Sequence, residues 1–193
     1  LLFDAVITGF GRCGAMTGAD AFGVVPYIMN VPKQLTTGAV PMVAVLASAE
    51  IYQTIMDQGG PDYMLEFPHG YTYSAHPVAC AAGLAALDVL EQEQLPQRVA
   101  QLAPYFENTL HQLKGAAHVT DIRNYGFAGA LQMAAYPGEP ARRPYEVAQR
   151  MWEKGFYVRY GGDTVQLGLP FVIEKHEIDS LVTALAETLR ELA

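Results

Sequence analysis

Lys33 sits in the segment Asn30-Val31-Pro32-Lys33-Gln34-Leu35-Thr36-Thr37-Gly38, a turn rich in threonine and glycine. Asp4 closes the short apolar run Leu1-Leu2-Phe3. These two residue types have a joint chemical use. A lysine amine in partly buried surroundings has a lowered pKa and can form a Schiff base with an aldehyde near neutral pH. A carboxylate at the end of a buried strand is costly unless paired, and a pyridinium is a suitable partner. The cofactor that needs both groups is pyridoxal 5′-phosphate, whose protonated ring draws electrons from a substrate carbon. Released from the cofactor, the same lysine can move a proton as a general acid-base. A third signal is Phe67-Pro68-His69-Gly70-Tyr71-Thr72-Tyr73-Ser74-Ala75-His76-Pro77, which opens a helix with hydroxyls beside it, a place able to hold a phosphate.

Each residue has a plainer use as well. Lys33 alone would be a surface lysine, and Asp4 a strand-end cap. Val6, two residues on from Asp4, is expected on the same side of the strand and against a bound ring, or else in plain core. His69 and His76 lack a third ligand at metal spacing and read as turn and helix-start residues. Arg159 is the single arginine in Phe156-Tyr157-Val158-Arg159-Tyr160. Its guanidinium is a natural fork for a substrate carboxylate, with a structural salt bridge as the competing use.

Three segments together resemble the class III aminotransferases, which are pyridoxal-phosphate enzymes of fold type I. They are Phe3-Asp4-Ala5-Val6-Ile7-Thr8-Gly9-Phe10-Gly11-Arg12, the surroundings of Lys33, and Gly70-Tyr71-Thr72-Tyr73. The nearest branch is the ω-amino acid:pyruvate transaminases, whose carboxylate-binding arginine segment is similar to Val158-Arg159-Tyr160-Gly161-Gly162-Asp163-Thr164. The resemblance implies Lys33 as the catalytic lysine, Asp4 and Val6 against the cofactor ring, and Arg159 on the substrate carboxylate. It also implies that Thr72 binds the cofactor phosphate of a neighbouring subunit, so that the site requires a homodimer. The implied reaction is a ping-pong exchange between an ω-amino acid or amine, such as β-alanine, and a keto acid such as pyruvate. A same-superfamily decarboxylase or aminomutase would use the same lysine and aspartate, and a truncated or degenerate non-catalytic subunit would retain only the fold.

The chain departs from that family at four places: Ala5 stands for Glu, Tyr27 for Asp, Pro32 for a small residue and Val43 for Gly. Val43 carries the sharpest expectation, since a branched side chain in place of glycine can strain the backbone or intrude on the cofactor. Family members are more than twice as long, so the chain reads as their C-terminal part. By itself it is expected to bind cofactor poorly, to be inactive and to associate through open strand edges.

Composition sets outer bounds. The 193 residues are 51% hydrophobic and 17% charged, as in an ordered globular protein. A formal charge of −8, with Arg142-Arg143 as the only basic pair, opposes binding to nucleic acid. No stretch reads as a membrane span. Cys13 and Cys80 lack metal-ligand spacing and read as reduced packing residues of a cytoplasmic protein. Gly9-Phe10-Gly11-Arg12-Cys13-Gly14 fits the dinucleotide pattern G-x-G-x-x-G weakly, because the following residues lack the helix that such a site needs.

The elements that must position these groups are those of an α/β chain. Residues 1–95 are expected to form the second half of a cofactor-binding large domain, with a mixed, mostly parallel sheet. Its buried strands are Leu2–Ile7, Tyr27–Val31 and Pro41–Ala47, and Lys33 follows the end of the second. A helix runs from Pro77 to about Glu93. Residues 96–193 are expected to form a small α+β domain. Its first helix carries the stripe Val99, Leu102, Phe106, Leu110 and Leu113, with Pro104 as a kink and Gly115 as a stop. Strands at Val119–Arg123, Gly129–Ala134, Phe156–Tyr160 and Val165–Gly168 alternate with helices at Tyr145–Lys154 and Glu177–Leu192.

Overall fold

The computed structural model describes residues 1–193 and divides into two compact units, Leu1–Pro96 and Gln97–Ala193. In the first, β1 (Leu2–Asp4) leads through a glycine-rich turn to α1 (Gly18–Phe22), then β2 (Ile28–Val31), β3 (Ala44–Ala47), α2 (Ala49–Gln58) and α3 (Pro77–Gln92). The sheet order is β1-β2-β3 and the sheet is mixed: β1 runs parallel to β2, with Asp4 opposite Asn30, and β3 runs antiparallel to β2. The expected burial of the first strand does not hold. Leu1 and Leu2 are 62% and 64% exposed, since no element of this unit covers their side chains.

Two helices of this unit were not anticipated, and local capping explains both. Thr17 accepts the Asp20 amide while the Asp20 carboxylate takes the Thr17 amide, a capping box that starts α1 in a sequence without helical periodicity. Ser48 caps α2 through the Ile51 amide. Pro77 occupies the first turn of α3, where its missing N–H costs nothing, and His76 is the N-cap.

The second unit is built by α4 (Leu95–Leu110), which begins at the boundary, β4 (Val119–Tyr125), β5 (Ala128–Met133), α5 (Arg142–Glu153), β6 (Arg159–Gly161), β7 (Thr164–Gly168) and α6 (Lys175–Glu191). Its antiparallel sheet has the order β4-β5-β7-β6. Helix α4 continues through Pro104, which is exposed, so the missing hydrogen bond falls on the solvent side. The core consists of fully buried Phe106, Leu110, Phe127, Leu131, Met151, Ile178 and Leu185. Gly129 lets α4 approach β5, since a Cβ there would lie 2.8 Å from Phe106 and 2.9 Å from Leu110. Arg98 secures the loop before α6: its Nε donates to the Phe171 carbonyl at 3.0 Å, and Nη2 donates to the Ile173 carbonyl and to Glu174, both at 2.7 Å.

The β6–β7 hairpin, which carries Arg159 opposite Gln166, closes through Gly162 at φ 55° and Asp163. Asp163 Oδ1 accepts the Thr164 hydroxyl and Oδ2 accepts the Gln132 amide, each at 3.0 Å, which ties the turn to β5. Those hydrogen bonds, Thr164 first, hold the Asp163 carboxyl below its ordinary value. A depressed folded-state pKa stabilises the fold above the unfolded pKa, and the contribution is lost as pH falls through the folded value. Asp163→Asn should therefore lower the denaturation midpoint at neutral pH, and the gap from wild type should close as pH drops below the ordinary carboxylate range. Chemical denaturation across that range checks it; a gap independent of pH would exclude the carboxylate as its source.

Candidate active site

Because β1 and β2 run parallel, their C-terminal ends open at the same edge of the sheet. Ligands of open α/β sheets bind at such edges. Asp4 is the last residue of β1, and its register partner Asn30 sits next to the end of β2. Lys33 then starts a short 3-10 turn, Lys33–Leu35, so carboxylate and amine are delivered to one edge by adjacent strands. The Asp4 carboxylate is oriented locally, its Oδ1 accepting the Val6 amide at 3.1 Å.

The lysine turn is rigidly made. Pro32 precedes it and its carbonyl accepts the Leu35 amide at 3.1 Å. Thr36 is buried, with its hydroxyl donating to the Val40 carbonyl, while Thr37 and Gly38 adopt left-handed φ values of 53° and 84°. For β-branched Thr37 that conformation is strained, by about 1 to 2 kcal/mol, and such strain concentrates at functional sites. Helix α3 packs on this turn through Gly83, beside Leu35 and Met42.

The structure departs from the expected burial and strand bounds around these residues. Lys33 and Asp4 are both exposed rather than buried, because nothing in this chain covers the edge where they stand. Val6 does not continue the alternation of β1, which stops at Asp4; it lies half-buried in the following turn and bonds Asp4 through its backbone. Thr72 belongs to an exposed turn ahead of α3, where the Tyr71 amide donates to the Ser74 hydroxyl at 3.0 Å. Arg159 opens β6 in the second unit on an exposed edge strand, with Phe156, Tyr157 and Val158 outside the strand. The ion pairs of the chain engage Arg98, Arg123, Arg142, Arg150 and Lys154 and leave Arg159 without a carboxylate partner.

The glycine-rich segment after β1 forms turns, with Phe10, Gly11 and Gly14 at φ 53°, 110° and 80°, and α1 starts only at Gly18. It therefore offers no helix N-terminus to a dinucleotide phosphate. Burial pushes the Cys13 thiol above its ordinary pKa, so it favours the unreactive protonated form.

The donor set fits pyridoxal phosphate. One carboxylate and one primary amine share a sheet edge, neither joined in an ion pair, and each matches a group of that cofactor: its ring N–H and its aldehyde.

The family profile described as aminotransferase class-III matches residues 1–189. The chain belongs to the class-III aminotransferases. It is 58% identical over 192 residues to an omega-amino acid–pyruvate aminotransferase of Pseudomonas putida, a match that covers 100% of the chain and 43% of that relative. A beta-alanine–pyruvate aminotransferase of Pseudomonas aeruginosa is 57% identical, with the same coverage. Among solved structures, an amine transaminase from an uncultivated Pseudomonas species, described in its PLP-bound form, superposes with a TM-score of 0.91 at 34% identity. That match covers 100% of this chain and 45% of the other. An (S)-enantioselective omega-transaminase from Thermomicrobium roseum gives 0.91 at 32% identity, covering 100% and 43%. The chain thus spans less than half the length of these relatives.

As a class-III aminotransferase, the chain accommodates its four departures without visible distortion. Val43 is 66% exposed and is not among the residues at left-handed φ, so the expected strain at this position is absent. Ala5 is 1% exposed and packs by Gly9, whose amide its carbonyl accepts at 3.0 Å. Tyr27 projects outward at 55% exposure while its backbone bonds Leu1 and Ser48. Pro32 lies past the end of β2, where no ladder hydrogen bond is asked of its nitrogen. Asn30 escaped sequence reading altogether. Its signal is a polar residue near the end of an apolar strand, level with Asp4.

Proposed function

We propose that the intact protein carrying this chain is a pyridoxal-phosphate-dependent aminotransferase that exchanges an amino group between an ω-amino acid or amine, such as β-alanine, and a keto acid such as pyruvate. The observation that carries this reading is the delivery of Asp4 and Lys33 to one edge by the parallel pair β1 and β2. The first unit then serves as part of the cofactor-binding domain and the second as the small domain.

Bound there, the cofactor supplies an aldehyde that captures the donor's amino group and a ring that withdraws electrons from the adjacent carbon. Lys33 would hold the aldehyde, and its Nζ, when free, would carry the proton removed from the donor carbon. The Asp4 carboxylate, oriented by the Val6 amide, would accept the ring N–H and favour its protonated form. Val6 stands beside the ring. Thr72 gives its hydroxyl to the cofactor phosphate of a second subunit, which makes the working form a homodimer. Arg159 grips the carboxylate of β-alanine or pyruvate, a use supported by its lack of any internal acid partner. No helix is long and apolar enough to cross a membrane.

Incubation of the intact protein with pyridoxal phosphate, β-alanine and pyruvate should yield alanine and 3-oxopropanoate in equal amounts. Carbon dioxide release or amino-group migration within one molecule would instead identify a decarboxylase or aminomutase, and no turnover would favour a non-catalytic subunit.

Arg159 should divide the substrates. A bidentate guanidinium–carboxylate pair stabilises acids and gives nothing to a simple amine. Arg159→Ala is expected to lower kcat/KM for pyruvate and β-alanine by roughly 2 to 4 kcal/mol. The half-reaction of a carboxylate-free amine should change far less. Equal losses for both donor types in single-turnover measurements would show that Arg159 supports the fold instead.

A further inference from the structure

We infer that Asn30 is a positioning residue that fixes the Asp4 carboxylate relative to the lysine turn; this rests on the proposed cofactor site. The Ala5 amide, the first donor beyond β1, is shared between two acceptors of one residue: the Asn30 carbonyl at 3.1 Å and the Asn30 Oδ1 at 3.2 Å. A ladder that ends at Asp4 would fray at its last rung, where the chain turns away at Val6. The second acceptor holds that rung. Ala5 is 1% exposed, so water does not compete for its N–H, and without the Asn30 side chain that amide keeps only the backbone carbonyl of Asn30.

The consequence reaches both reactive groups. Asp4 directly precedes the pinned amide, and Lys33 follows Asn30 by one short step past the end of β2. Asn30 therefore joins the strand that carries the ring acid to the strand that carries the amine, at the level where both leave the sheet. Pairing of the two in register also puts the Asn30 and Asp4 side chains on one face. An aspartate here would preserve the Oδ1 acceptor but set a second carboxylate beside the first.

The test reads the ring rather than turnover. Intact protein loaded with nitrogen-15-labelled pyridoxal phosphate is examined by NMR at neutral pH, with Asp4→Asn as the limit in which the ring nitrogen has lost its acid. In Asn30→Ala the ring-nitrogen signal should move from the wild-type position toward that of Asp4→Asn. In Asn30→Asp, which keeps the acceptor, the signal should not move toward Asp4→Asn, since the added carboxylate favours the protonated ring and shifts it only the other way. Movement toward Asp4→Asn in both variants, or in neither despite a lowered melting temperature in Asn30→Ala, would overturn the positioning role. If wild type itself shows no protonated ring nitrogen that depends on Asp4, the cofactor site fails first, and the inference falls with it.

Discussion

Replacing Lys33 with alanine in the intact protein should lower amino-group exchange by several orders of magnitude, the largest loss expected of any substitution in this chain. In the proposed site one amine would serve twice, as the anchor of the aldehyde and as the carrier of the proton. The chain has four lysines, and their surroundings separate them. Lys154 donates to Glu191 at 2.8 Å and to Glu187 at 3.3 Å, and the Glu191 bond, chief among these contacts, raises its pKa and keeps it a protonated non-nucleophile. Lys175 lies over the Tyr105 ring at 4.9 Å. Lys33 alone stands at the end of a parallel strand pair beside an unpaired acid. Borohydride added with pyridoxal phosphate should leave its reduced adduct on the peptide containing Lys33, read by mass spectrometry. An adduct on Lys114 or Lys154 would remove Lys33 from the role.

The site was legible in sequence to the extent that it depends on local order. Asp4 ends a short apolar run and Lys33 follows another, and because strands carry chain direction, the parallel pairing of β1 and β2 was enough to bring the two together. Burial was not legible in the same way. An apolar run resembles a buried strand whether or not a neighbour covers it, and β1 is an edge with Leu2 64% exposed. The strand alternation expected to reach Val6 fails for a related reason: alternation has meaning only while a strand continues, and the Asp4 side chain accepts the Val6 amide where β1 ends. Features that depend on one long-range hydrogen bond left almost no trace. Asn30 meeting Ala5, and Arg98 meeting the Phe171 to Glu174 loop, join residues far apart in the chain; a polar residue near the end of an apolar strand is a faint local mark of the first, and nothing local marks the second.

Substituting Asp4 by asparagine should separate chemistry from architecture more cleanly than any other change. The asparagine Oδ1 is still an acceptor for the Val6 amide, and the turn that follows β1 can persist, so the melting temperature of the intact protein should stay near that of wild type. Lys33 is untouched, so borohydride should still fix the cofactor to it. What disappears is the negative charge that, in the proposed site, would keep the ring nitrogen protonated, and with it the ring's capacity to draw electrons from the donor carbon. Removal of the donor's proton should slow by several orders of magnitude, seen as lost exchange of that hydrogen with deuterated water in a single-turnover half-reaction. Binding of the donor should change little, because the carboxylate grip assigned to Arg159 is elsewhere. A near-normal exchange rate in Asp4→Asn would take Asp4 out of the site, and an equal fall in stability and rate would return it to the plainer office of a strand-end cap.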